Sequence, residues 1–503
     1  MSIFKKLRML FVLLICFVFV YGNTDAQRQV TVQPGFGTLA NTIFGDTTST
    51  GERVDPNTVY VLKRDGLYLL DGEFDPDFPV SIITEDGSGA RRVIRLAFVT
   101  GGESPAQVIR PYANFYIKGA YLTASNNEYK VSDRIFRPEE NGIRVVVEDC
   151  VLDTAGQAAF RINVPDTKIY LLNCVVSNIG TMASPDNGRV FDDRGKDIDS
   201  LVVVNNTMYN ITSQVLRDDG GNINYVKFDH NTMVNVGQES VEIGEATEIV
   251  YTNNLLINPN FLGAANFAEY AVSILPPIDS TVIQTAVFSH NTTYSDPSIA
   301  AVYPDTVLAP IAYNNLAQSF IDAGGYGSTN LDEAVTFAKG LDSPAQSVSV
   351  YWSNPDVVPP GLDSLALADM DLSYATSFAS YSGGLSGQPI GALTWFDMTV
   401  GVDKNENTAI PTGFALEQNY PNPFNPTTVI KYVLPSQSNV KLVVYNTLGQ
   451  VVKTLVNSEQ AGGSYSITWN GTNDYNQKVS SGIYLYKLSA GNFVTVKKMM
   501  LVK

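Results

Sequence analysis

The sequence predicts an all-β protein: a stack of short-strand coils followed by a small β-sandwich. The first observation behind this is a repeat. Aligning Glu148-Asp149-Cys150-Val151, Leu172-Asn173-Cys174-Val175, Val204-Asn205-Asn206-Thr207, Asp229-His230-Asn231-Thr232, Thr252-Asn253-Asn254-Leu255, Ser289-His290-Asn291-Thr292 and Tyr313-Asn314-Asn315-Leu316 gives one phrase seven times. The third residues are 24, 32, 25, 23, 37 and 24 positions apart. The second observation is the setting of each copy. A β-branched run precedes it, as at 144–147 or 201–204, and a small polar residue lies four positions past the anchor: Thr154, Asn178, Asn210, Asn235, Asn258, Ser295, Ser319. A period near 24 without helical spacing means one coil of strands per repeat. The third is period-two alternation at 440–445 and 483–488, separated by Gly-containing turns, which reads as an antiparallel sandwich.

The repeat is the pattern of a right-handed parallel β-helix, and over about residues 110–330 it resembles the pectin-lyase-like superfamily. Stacked coils set equivalent residues ~4.8 Å apart, so an Asn at a bend can bond the Asn above and below it. Asn206, Asn231, Asn254, Asn291 and Asn315 are therefore expected to form a structural ladder. Residues 27–110 read as an N-terminal cap and first coils, 111–330 as the β-helix, and 331–398 as its C-terminal cap, with a short helix expected at 331–339. Solenoid ends need such caps because an open end exposes strand edges. The longer steps, 174–206 and 254–291, imply loops inserted between strands.

A Thr/Asn-rich stretch at 399–414 reads as a linker. Beyond it, Tyr420-Pro421-Asn422-Pro423-Phe424-Asn425-Pro426 opens the sandwich, Val443-Val444-Tyr445-Asn446-Thr447-Leu448-Gly449-Gln450, Trp469-Asn470-Gly471 and Ser481-Gly482-Ile483-Tyr484 follow, and Lys497-Lys498-Met499-Met500-Leu501-Val502-Lys503 ends it. These motifs, in this order over 415–503, resemble the type A C-terminal sorting domain of the type IX secretion system. The resemblance implies an immunoglobulin-like sandwich and the type IX machinery as partner. At the other end, Lys5, Lys6 and Arg8 precede an apolar run over 9–21. Residues 1–26 thus read as a secretory signal peptide, the run being too short to span a bilayer. No later stretch is as apolar, so the mature chain is expected to lack a transmembrane segment and to be secreted or held at the outer-membrane surface of a Gram-negative bacterium.

The net charge is −17. Residues from 415 onward hold eight lysines and three acids, or +5, and residues 1–26 hold three bases and one acid, or +2, which leaves −24 for 27–414. Such a body repels nucleic acids and anionic membranes. Two cysteines remain after export, Cys150 and Cys174, both in the ladder position, where stacked thiols or a disulfide would fit. The two histidines, His230 and His290, fall beside the ladder where Asn stands elsewhere, so a Ser-His-Asp triad or a His-ligated zinc has little support. No phosphate-binding Gly loop occurs.

One constellation could carry chemistry. Phe160-Arg161-Ile162, Phe191-Asp192-Asp193, Leu216-Arg217-Asp218 and Val241-Glu242-Ile243 align on successive coils. With the apolar residues inward, Arg161, Asp192, Arg217 and Glu242 form an outward column of alternating sign, with Asp193 and Asp218 stacked beside it. One reading is a solvated ion-pair ladder, each pair worth about 0–1 kcal/mol. The other is a polysaccharide groove, in which Asp193 and Asp218 bind Ca²⁺, Arg217 or Arg161 acts as base or charge clamp, and Asp192 and Glu242 contact substrate. Polysaccharide lyases of the superfamily use such an arrangement, which is what the resemblance implies. A hydrolase would instead pair Asp193 with Asp218 or Glu242. The expectation is a surface β-helix protein that binds or cleaves polysaccharide; the alternative is a noncatalytic adhesive β-helix.

Overall fold

The structure is a computed structural model that describes residues 27–87, 91–97, 105–126, 130–181, 184–262, 270–275, 284–297, 311–339, 370–398 and, with short breaks, 415–502. The expected signal peptide (1–26) and linker (399–414) lie outside the described residues.

Strands of the body pair in parallel with the equivalent strand one coil away, and they do so on three faces. The first face carries β1 (Ala158–Ile162), β2 (Arg189–Asp193), β3 (Gln214–Arg217), the start of the long β4 (Val241–Thr252) and β5 (Tyr270–Leu275). On the second, Arg144–Glu148, Thr167–Leu172, Ile198–Val204 and Asn222–Asp229 pair in order. The third is a ten-stranded sheet that includes Val151–Ala155, Val175–Ile179, Thr207–Ile211 and Thr232–Val236. The body is a parallel β-helix. Alternate apolar side chains of the strands point inward, as Phe160 with Ile162 and Ile169 with Leu171 do, and equivalents stack: Phe136 on Phe160 at 4.9 Å, and Phe160 on Phe191 at 5.2 Å. Such offset pairs add about 0.5–1.5 kcal/mol each beyond their buried area.

Two corners of each coil, those that flank the third face, use left-handed backbone. Asp149, Asn173, Asn205, His230, Asn253 and His290 have φ of 49–59° at one corner; Thr154, Asn178, Asn210, Asn235 and Asn258 have φ of 55–60° at the next. Asn, Asp and His are the side chains that tolerate this region best, so the histidines stand here for the backbone's sake. Between the corners runs the expected ladder. Asn206 Nδ2 donates to Asn231 Oδ1 (3.0 Å), Asn231 Nδ2 to Asn254 Oδ1 (2.9 Å), and Asn254 Nδ2 to Asn291 Oδ1 (3.2 Å). Each amide also donates to a carbonyl, as Asn231 does to Val203 at 2.9 Å. Cys174 N donates to Asn206 Oδ1 (2.8 Å) and Cys150 N to Cys174 Sγ (3.4 Å), so the two buried, free thiols extend the same stack.

The ladder's last rung corrects the expectation. Asn291 donates to Asn330, at 3.1 Å from both N and Nδ2, and Asn315 is not a rung. Asn315 opens the helix α2 (Asn315–Gly324), whose N-cap Asn314 accepts from Ala317 N and whose Ala317 and Ile321 bury against the last coil. An i, i+4 apolar pair behind an Asn cap outweighed the phrase. The helix expected at 331–339 is likewise absent, since Phe337–Lys339 is a strand antiparallel to Asp371–Tyr374. The first end is closed by α1 (Thr38–Phe44) through Leu39 and Ile43. Residues 370–397 lie along the third face: Leu372, Tyr374 and Ile390 pack on Tyr209, Val234 and Leu255, and Trp395 Nε1 donates to Thr207 Oγ1 at 2.8 Å.

The C-terminal part is a sandwich of a three-stranded and a four-stranded antiparallel sheet around Tyr432, Leu442, Trp469 and Tyr486. The alternating segments seen in the sequence lie in Ser438–Asn446 and in β6 (Gly482–Ala490), and β7 (Phe493–Leu501) is the end strand of the larger sheet.

Candidate functional site

Strand register builds the charged column. Arg161 of β1 pairs with Asp192 of β2, Asp192 with Arg217 of β3, and Leu216 with Val241, which brings Glu242 next in line, opposite Ser273 of β5. Arg161, Asp192, Arg217 and Glu242 therefore share one file on the first face.

Its centre is not a simple alternation of sign. Asp192 is fully buried, and four guanidiniums converge on it. Arg161 Nε donates to Oδ2 at 2.8 Å. Arg189 and Arg217 stand 3.6 Å from Oδ1 and Arg194 stands 3.8 Å from it, so Oδ1 has no hydrogen bond at all. Asp219 pairs with Arg217 at 2.5 Å and with Arg194 at 3.7 Å. Four cations thus meet two carboxylates. Glu242, the next acid, accepts instead from Gln214 Nε2 at 2.7 Å. Arg189 is 7% exposed, its Nε lacks a partner, and its pKa is pushed down to about 10 by burial and by the neighbouring arginines, against the pull of Asp192. Upstream the file continues in amides: Gln157 Oε1 accepts from Arg161 (3.1 Å) and from Arg134 (3.0 Å).

Asp193 and Asp218 come together as expected, but beneath the surface, at 0% and 6% exposure. Burial, together with the charge of Asp218, pushes Asp193 up to about 8. Burial also raises Asp218 to about 6, opposed by hydrogen bonds from Asp193 and from the N–H groups of Gly220 and Gly244. The pair shares a proton at neutral pH, as two close carboxyls must when nothing else neutralises them. Lys196 N (3.2 Å) and Gly220 N (3.1 Å) also point at its oxygens, which suits a carboxylate and opposes a cation. Asp218 further rests on Gly244, where a Cβ would lie 2.5 Å from the carboxyl carbon. Glu239 is pushed up to about 7 by burial. Among the described residues no three His, Cys, Asp or Glu side chains are grouped to hold a metal ion.

The sequence reading found the file but missed Arg189, three residues before Asp192 and out of step with the strand alternation, and Arg194, two residues after it and just past the end of β2. A cavity of about 580 Å³ lies elsewhere, at the last coil, lined by Tyr294, Tyr313, Gln318 and Asp332 among others.

Comparison with known proteins adds a family match at one end. The FlgD Ig-like domain family matches residues 425–492. No curated protein matches the chain. Solved structures that are similar in part include dimeric latent PorU from Porphyromonas gingivalis (23% identity, 18% of this chain and 9% of that one, TM-score 0.16). A second is PorZ, a surface component of the type IX secretion system of the same organism (16% identity, 20% and 12%, TM-score 0.14). A third is the PL6 family alginate lyase AlyGC (13% identity, 55% and 41%, TM-score 0.28). The chain spans less than half the length of each of these structures.

Proposed function

We propose that this is a secreted or cell-surface β-helix protein, exported by the type IX system through residues 415–503, whose first face engages an acidic polysaccharide. The observation that carries the reading is the crowding of four guanidiniums around two carboxylates, the buried Asp192 and Asp219, with the Nε of Arg189 left without an acceptor. Within a body of −24, a local excess of positive charge is kept at a cost in desolvation, and an anionic group that supplies the missing acceptors would relieve it. Arg217 and Arg194, held by the displaceable Asp219, are the clamp; Arg161 and Arg189 hold Asp192 in place.

The body is taken as 27–398, the address as 415–503. A clamp serves binding and lyase chemistry alike, and adhesion without catalysis is the second reading. Ca²⁺ at Asp193 and Asp218 would have to displace their shared proton, so any such binding should tighten as pH rises.

The test is calorimetry of the mature chain with pectic, alginate and glycosaminoglycan chains, with and without Ca²⁺, followed by absorbance for unsaturated products. Binding weakened at least tenfold in Arg217→Ala, and lessened by salt, is expected. Equal affinity for neutral and acidic glycans, or an unaffected Arg217→Ala, would overturn the reading. Deleting 415–503 should leave a folded body in the periplasm; normal surface display of that truncation would sink the address.

A further inference from the structure

The last strand of the sandwich is open where its neighbours are closed. β7 ends the four-stranded sheet, so one of its edges has no partner strand. The lead-in residues cover only its last third. Phe424 N donates to Met500 O (3.0 Å), Met500 N donates to Asn422 Oδ1 (2.9 Å), and Asn422 Nδ2 reaches Lys498 O (3.5 Å). These contacts fix which backbone groups face outward. The N–H and C=O of Met500 do, and by the two-residue period those of Val494 and Val496 do as well. Neither of these is met by a strand among the described residues.

The same two residues also show their side chains, Val494 at 55% and Val496 at 50% exposure, and Met500 continues the row at 42%. Ile483 of β6, directly opposite Met500, is 39% exposed. Lys487 lies opposite Val496, and the domain as a whole is +5. An exposed, β-branched edge of this kind is a template for another strand unless something blunts it, and the lysines sit at its far end.

We infer that the edge of β7 from Val494 to Val496 is a docking site for an extended strand of another protein, one that alternates acidic and apolar residues. Charge chooses the occupant. Two copies of this domain would bring +5 against +5, whereas an acidic strand meets Lys498 across the pairing, with Lys487 one strand further in beside Val496. Main-chain bonds at 494 and 496 would supply affinity, and the valine row and lysines would supply selectivity. The inference deepens the reading of 415–503 as an address, since an address must be read by a partner.

The test uses the full mature chain with a short peptide alternating valine and glutamate, and its valine-lysine counterpart as control. The acidic peptide should bind, slow amide exchange at Val494 and Val496, and lose affinity with salt. Val496→Pro removes an outward N–H and no bond to β6, so the fold should persist while binding falls about fivefold to tenfold. Unchanged exchange at 494 and 496, equal binding of the lysine peptide, an indifferent Val496→Pro, or a concentration-dependent dimer joined at β7 would each overturn it. Failure here, with export still lost on deleting 415–503, would remove the edge and leave the address standing.

Discussion

Two stacks run the length of the same coils, one neutral and one charged, and they are satisfied very differently. In the asparagine stack each amide gives its hydrogens to the next rung and to a carbonyl, so that Asn231 alone joins Asn206, Asn254 and Val203. Its interior rungs are complete. In the charged file the rungs are also in register, yet Asp192 keeps one oxygen unbonded amid three guanidinium groups, and Arg189 keeps an idle Nε. A stack that serves only the fold uses up its own donors and acceptors. One that leaves them over, in a buried setting, has a use for a ligand or holds strain.

Substitutions in both stacks sharpen this contrast. The largest loss is expected for Asn231→Leu. It orphans the buried N–H of Asn206 and the carbonyl of Val203, at about 1–3 kcal/mol for each. A drop of about 2–6 kcal/mol in chemical denaturation, insensitive to added anions, is the expected outcome; rescue by salt would erase the distinction. Asp192→Asn should cost somewhat less, about 2–3 kcal/mol, because Arg194 and Arg217 are partly exposed and water screens them. Here sulfate should restore part of the loss by occupying the arginines, measured as a rise in melting temperature that wild type does not share.

The smallest effect is a slope in pH. Asp193 and Asp218 have folded pKa values above the ordinary carboxylate value, so the folded state holds a proton that the unfolded chain releases. Their stabilisation is complete below about pH 4 and is lost as pH rises through about 6 and about 8. Asp193→Asn should flatten melting temperature against pH over that window and be the more stable variant at pH 9. A slope that survives in Asp193→Asn would assign it elsewhere, with Glu239 the next candidate.

Much of this was legible in the chain. The Asn phrase gave the corner and the rung together because left-handed backbone and amide stacking both restrict the residue, leaving a trace at every coil. The order Arg161, Asp192, Arg217, Glu242 was legible because strand register copies sequence alignment. Asn315 misled because two neighbouring asparagines read alike in a cap and in a rung; only the apolar pair Ala317 and Ile321 separates them. Arg189 and Arg194 left no trace because their long side chains reach Asp192 from outside the aligned phrase, Arg189 from out of step with the strand and Arg194 from past its end. The depth of Asp193 and Asp218 was equally hidden, since a carboxylate next to a strand end reads as solvated until Gly244 is seen to seat it.

The asparagine rungs have a mechanical consequence. They lie along the axis of the stack, each bond tying one coil to the next and none crossing it sideways. Pulled from its C-terminal end, the body should first lose residues 370–397 from the third face and then give way coil by coil, at Asn330 and then Asn291. Each release would free a loop of roughly 80 Å of chain, from one coil at about 3.3–3.6 Å per residue. Because the rungs from Asn206 to Asn291 lie 23 to 37 residues apart, the steps should be unequal, the longest of these being the one between Asn254 and Asn291.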